Sequence, residues 1–139
     1  MTQISAEAIA IAYDKKSIID GLSLHIPQSQ ITTIIGANGC GKSTLLKGLT
    51  RLLPVSKGAV YLDGQSIATL ATKEVAKKIA LLPQVQEATD GTTVYELISY
   101  GRFPHQSYLG KLSQADKETI HWAMEATKVT AYACLLYTS

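Results

Sequence analysis

Residues 36–43, Gly-Ala-Asn-Gly-Cys-Gly-Lys-Ser, constrain this chain more than any other segment. They fit the pattern G-x-x-x-x-G-K-[ST], whose chemistry is the cradling of a polyphosphate. Glycines at 36, 39 and 41 let the backbone pass close to phosphate oxygens with its N–H groups turned inward. A helix beginning at the lysine adds the positive end of its dipole. Lys42 then reaches the β- and γ-phosphates, and the Ser43 hydroxyl is placed to ligate Mg²⁺. Two glycines, a lysine and a hydroxyl residue at fixed spacing arise by chance in fewer than about 1% of chains this long. The flanks agree with the pattern. Residues 31–35 (Ile-Thr-Thr-Ile-Ile) are a β-branched run suited to a buried strand, and Leu45, Leu46, Leu49, Leu52 and Leu53 follow at helical spacing up to Pro54.

The remaining chemistry is bounded by composition. At 139 residues, with 46% hydrophobic and 17% charged residues, the chain suits one globular domain and excludes a disordered tail or a disulfide mini-protein. A net charge of +2, with no like-charge run longer than the pairs Lys15-Lys16 and Lys77-Lys78, gives no sign of nucleic acid as a partner. Cys40 and Cys134 lack metal-ligand spacing and read as free thiols of a reducing compartment. No stretch approaches the roughly 20 apolar residues needed to cross a bilayer. The first eleven residues lack the order of a secretion signal, so the expected location is the cytoplasm, with any membrane contact made through another protein.

Along the chain, residues 8–13 and 22–26 alternate as strands, with the polar Asp14-Lys15-Lys16 between them. Residues 59–62 form a further strand. Asp63-Gly64 is the strongest hairpin signal in the chain, and a hairpin turn explains Asp63 better than a role as a magnesium ligand. Residues 72–78 read as a short helix and 79–82 as an apolar strand stopped by Pro83. Thr92 or Thr93 caps a helix running to about Gly101. Ser113 opens a last helix carrying Ile120, Ala123 and Met124 on one face. His105 and His121 are isolated, and Glu118 and Glu125 read as a solvated helix face.

The loop with its flanks resembles the Walker A region of ABC-transporter ATPases, and the likeness extends over about residues 4–130. It implies an α/β fold: a P-loop NTPase core with a parallel sheet, an N-terminal antiparallel β subdomain and the start of a helical subdomain. It implies nucleotide contacts from Tyr13, Gly36, Ala37, Asn38, Gly39, Cys40, Gly41, Lys42, Ser43 and Thr44. Tyr13, 23 residues before Gly36, corresponds to the aromatic that stacks on adenine; from the residue alone it reads as an ordinary strand tyrosine. Gln84, 42 residues after Lys42, resembles the Q-loop glutamine that helps hold Mg²⁺ and connects to the membrane-spanning partner; alone, it is a solvated loop residue. In that likeness Lys42 and Gln84 are the catalytic groups, and Ser43 and Gln84 are the metal ligands. Residues 93–97 and 100–105 resemble the subset that imports ferric siderophores, haem or cobalamin.

The same likeness implies ATP and Mg²⁺ as ligands, a membrane permease as partner, a second ATPase subunit in a head-to-tail dimer, and a place on the inner face of the cell membrane. An L-S-G-G-Q signature, an apolar strand ending in Asp-Glu and a switch histidine do not follow Lys128. The expectation is therefore an incomplete domain over residues 1–130 with a non-native tail at 131–139. Such a piece binds nucleotide weakly, hydrolyses it negligibly and is marginally stable alone. Two alternatives are a non-catalytic nucleotide-binding module and another P-loop ATPase. Tyr13 and Gln84 disfavour a kinase, and the absence of a basic stripe disfavours a DNA partner.

Overall fold

The computed structural model describes residues 3–13, 16–84, 91–106 and 110–136. Asp14 and Lys15, between the first two expected strands, lie outside these residues, as do the last three of the expected tail. The chain divides into two compact units, residues 1–81 and 82–139.

The first unit is built on a four-stranded antiparallel sheet ordered β2-β1-β3-β4, comprising β1 (Ile4–Tyr13), β2 (Lys16–Ile26), β3 (Lys57–Leu62) and β4 (Gln65–Ser66). Helix α1 (Lys42–Leu49) packs on β1, and α2 (Thr72–Lys78) completes the unit. Ile9, Ile11, Leu45, Leu49, Val60 and Leu62 form the centre of its core. α1 meets the sheet at Gly48, where a Cβ would overlap Ile11 Cδ1. Asp63-Gly64 makes the β3–β4 turn as read, both residues at positive φ. The Asp63 carboxylate is held by Lys78 Nζ at 2.6 Å and by the Gln3 N–H at 2.9 Å, so it is a structural acid.

A bulge crosses the middle of this sheet. Between Glu7 and Ala10 the β1–β3 register slips by one residue, and the β1–β2 register slips between Ala6 and Ile9. Ala8, at φ 46, carries the bulge. Its N–H, turned out of the ladder, is satisfied by Ser23 Oγ at 2.9 Å. Gly58 passes against the displaced backbone from the other side.

Three expectations need correction. Residues 31–35 form no strand: Ile31 is 98% and Ile35 87% exposed, and only Ile34 packs against the core. Residues 79–82 are also irregular, and no parallel pair occurs among the described residues. A parallel strand is stable only between neighbours and under covering layers, so a β-branched run without them keeps its backbone groups in water. The leucine-rich helix stops at Leu49, short of Pro54. Arg51, at φ 61, closes it: Arg51 N–H donates to Gly48 O at 3.1 Å and Leu52 N–H to Lys47 O at 2.8 Å. This is a Schellman closure with arginine in the place usually taken by glycine. The guanidinium compensates by donating to the carbonyls of Ile67 and Leu70 and to Thr72 Oγ1.

The second unit contains α3 (Val94–Ser99), a 3-10 turn (Tyr100–His105), α4 (Gln114–Ala126) and a shorter 3-10 turn (Thr130–Tyr132). Thr93 and Ser113 cap their helices, each in a reciprocal capping box. Residues 133–136 lie against the start of α3, where the Leu135 and Ala133 carbonyls accept from the Val94 and Tyr95 N–H groups at 3.0 and 3.1 Å. Ile120 and Met124 are buried, as the spacing predicts.

Asp116 organises this unit. Its carboxylate accepts from Ser113 Oγ at 2.7 Å, from Ser113 N–H at 2.9 Å and from Arg102 Nε at 2.8 Å. The Ser113 bonds, then the guanidinium, hold its pKa down from 3.8 to about 2. A carboxylate depressed by folding contributes stability that is present above its unfolded value and lost as pH falls through its folded one. Acid titration from about pH 4 to about pH 2 should therefore destabilise the wild-type chain more than Asp116→Asn. Melting midpoints measured across that range check this, and parallel curves for the two proteins would refute it.

Candidate phosphate-binding site

The irregular stretch 31–37 leads into a turn at residues 38–39, and α1 starts at Lys42. Gly39 lies at φ 79, and Gly41, the N-cap of α1, at φ 97 and ψ 8. Side chains rarely adopt either conformation, which is why this loop requires glycine at both positions. The Gly41 carbonyl accepts from Leu45 N–H at 2.8 Å, and no side chain caps the helix. Nor does its first turn carry an acid, whereas α2, α3 and α4 have Glu74, Glu96 and Asp116 there. The first amides of α1 and the positive end of its dipole are thus left for an external anion.

Lys42 folds back over this loop. Its Nζ donates to the Gly36 carbonyl at 2.8 Å and the Ala37 carbonyl at 2.7 Å, and lies 3.8 Å from Cys40 Sγ. The ammonium sits across the mouth of the loop, where phosphate oxygens are the stronger partners for a cation. Gly36 faces the same mouth: a Cβ there would stand 2.7 Å from Cys40 Sγ and 3.9 Å from Lys42 Cδ. Ala37, Asn38 and Ser43 are exposed, and Thr44 is half-buried. On the apolar side, Ile19, Leu22, Ile34, Ile35, Cys40, Gly41, Lys42 and Leu45 line a groove of about 190 Å³.

Tyr13 ends β1, 44% exposed and paired with Lys16 across the hairpin. The same end of the hairpin carries Ile18 and Ile19, which touch the loop at Gly41. Nine of the ten expected nucleotide contacts are the consecutive residues 36–44, and the tenth, Tyr13, is the last residue of β1. Gln84 belongs to the second unit, where it is exposed in a bend. No cluster of His, Cys, Asp or Glu suited to a metal occurs among the described residues. His121 approaches Glu125 at 3.3 Å on the exposed face of α4. Among the described residues no helix is long and apolar enough to cross a membrane. The motif did not reveal Ile18, Gly48 or Arg51, which support the loop and its helix. Their roles arise from contacts with residues distant in sequence, and no local pattern marks them.

Residues 19–134 match the family model described as ABC transporter. The chain is similar to the iron(3+)-hydroxamate import ATP-binding protein FhuC of Bacillus subtilis, with 49% identity over 96% of this chain and 49% of the relative. It is similar also to the ferric enterobactin transport ATP-binding protein FepC of Escherichia coli, with 41% identity over 96% of this chain and 49% of that protein. The chain thus spans about half the length of these curated relatives. Among solved structures, one described as the ATP binding subunit of an ABC transporter superposes with a TM-score of 0.78 at 17% identity, over 95% of this chain and 53% of the other. A nucleotide-free ATP-binding cassette from an ABC transporter superposes with a TM-score of 0.77 at 22% identity, over 98% of this chain and 58% of the other.

Proposed function

Because the chain belongs to the ABC transporter family, we propose that it is the nucleotide-gripping part of the ATP-binding subunit of an importer for iron-siderophore-type substrates. The observation that carries the reading is the loop itself: Gly39 and Gly41 at positive φ, an uncapped α1, and Lys42 Nζ within 2.8 Å of two loop carbonyls. The cargo class rests on the relatives, whose names specify iron(3+)-hydroxamate import and ferric enterobactin transport.

In this reading the amides of residues 37–44 surround the β- and γ-phosphates, and Lys42 exchanges its two carbonyl partners for phosphate oxygens. Tyr13 offers its ring to the adenine. Ser43, exposed in the first turn of α1, offers a hard oxygen donor of the kind that suits Mg²⁺. When bound with the nucleotide, Mg²⁺ supplies charge neutralisation at the γ-phosphate. The whole protein hydrolyses ATP as a head-to-tail dimer on the inner face of the cell membrane, coupled to a permease through Gln84 and the helical second unit.

Cys40 provides the test, because its exposed thiol lies inside the loop while Cys134, also exposed and free, belongs to the second unit. Saturating Mg-ATP should slow alkylation of Cys40 and leave Cys134 at its own rate. Mass spectrometry of the two labelled peptides over time measures both. Equal Cys40 rates with and without nucleotide would defeat the reading.

A further inference from the structure

The β1–β2 pair has another irregularity near Tyr13 and Lys16. Tyr13 pairs with Lys16 and Ala12 with Ser17, but Ile11 pairs with Ile19. Ile18 is therefore the extra residue of a β-bulge, with no partner opposite it on β1. A bulge bends its strand and re-aims a side chain, and here the bulged residue meets the phosphate loop. A Cβ at Gly41 would lie 3.0 Å from Ile18 Cγ2 and 3.7 Å from the Ile18 carbonyl oxygen, with Ile19 Cγ1 also at 3.7 Å. Gly41 is the residue that turns the loop into α1, at φ 97. The bulge thus abuts the loop at its most constrained position. Ile18 is half-buried in making this contact, while Tyr13, at the same end of the hairpin, is exposed.

We propose that Ile18 is a positioning residue, a spacer that holds the Tyr13 end of the hairpin at a set distance from the phosphate loop. The proposal rests on the nucleotide reading above and deepens it. A ligand that engages two sites at once binds tightly only when their separation is already correct, since ordering them on binding subtracts from affinity. ATP spans the hairpin end and the loop. Inorganic tripolyphosphate occupies the loop alone. A spacer therefore affects the first ligand and leaves the second alone, whereas a residue that merely supports the fold affects both.

The experiment is calorimetric titration of the full chain with Mg-ATP and with Mg-tripolyphosphate. Ile18→Leu keeps the side-chain volume and removes the β-branch that carries Cγ2. Ile18→Val keeps that branch and loses only Cδ1. Ile18→Leu should weaken Mg-ATP roughly tenfold while tripolyphosphate changes by less than about twofold, and Ile18→Val should bind both like the unmodified chain. Equal losses for the two ligands, an unchanged Mg-ATP affinity in Ile18→Leu, or an Ile18→Val as weak as Ile18→Leu would each overturn the spacer. If the unmodified chain binds neither ligand, the nucleotide reading fails and the spacer with it. Normal binding by the unmodified chain with no effect of Ile18→Leu defeats the spacer alone.

Discussion

Lys42→Ala removes measurable ATP binding from this chain, weakening affinity by at least about a hundredfold. The ammonium places a full positive charge on the loop, and in the proposed reading its two hydrogen bonds to carbonyls are exchanged for bonds to phosphate oxygens. Hydrogen bonds to charged partners contribute about 1.5–3 kcal/mol each, so losing two corresponds to about a hundredfold or more. The fold should survive, because the carbonyls released at Gly36 and Ala37 are exposed and bond water instead. Titration with a fluorescent ATP analogue, alongside the far-ultraviolet circular dichroism of both proteins, measures binding and fold together. Equal affinity in wild type and variant would refute the site assignment. Unequal affinity with a collapsed spectrum would assign the lysine a structural role.

The second large effect concerns stability. Gly58→Ala should unfold the first unit or cost it more than about 3 kcal/mol. Gly58 sits at φ 72, and a Cβ there would collide with the carbonyl oxygen of Glu7 and the backbone of Ala8. Both obstacles are main chain, held in place by the bulge that Ser23 Oγ secures through the Ala8 N–H. Neither can rotate away as a side-chain tip would. Gly64→Ala is the control: its φ of 78 imposes the same conformational penalty, but no atom lies within 4 Å of the new methyl. That penalty alone is about 1–2 kcal/mol. Urea denaturation of the two variants separates the collision from the backbone preference, and equal midpoints would show the collision to be absent.

The solvent-facing apolar surface of residues 31–35 has the same kind of origin. Ile31 and Ile35 are apolar because their run suits a buried strand, yet both face solvent in a chain whose sheet is entirely antiparallel among the described residues. Strand status depends on pairing and covering layers, and Ile-Thr-Thr-Ile-Ile carries only the preference. The expected antiparallel subdomain formed because its partners β1, β2 and β3 all lie within the first 62 residues.

What could be read from the residues was whatever is decided over one or two turns of chain. Gly39, Gly41 and Lys42 specified a tight loop opening a helix, Asp63-Gly64 a tight turn, and Thr93 and Ser113 helix starts, each through hydrogen bonds or φ values reached within a few positions. The tertiary structure alone decided that Arg51 ends α1, that Ala8 and Gly58 share a bulge, and that Ile18 rests on Gly41. Each of these depends on where a second, sequence-distant backbone passes. Sequence periodicity records which face of an element is apolar, but not the single atom it meets.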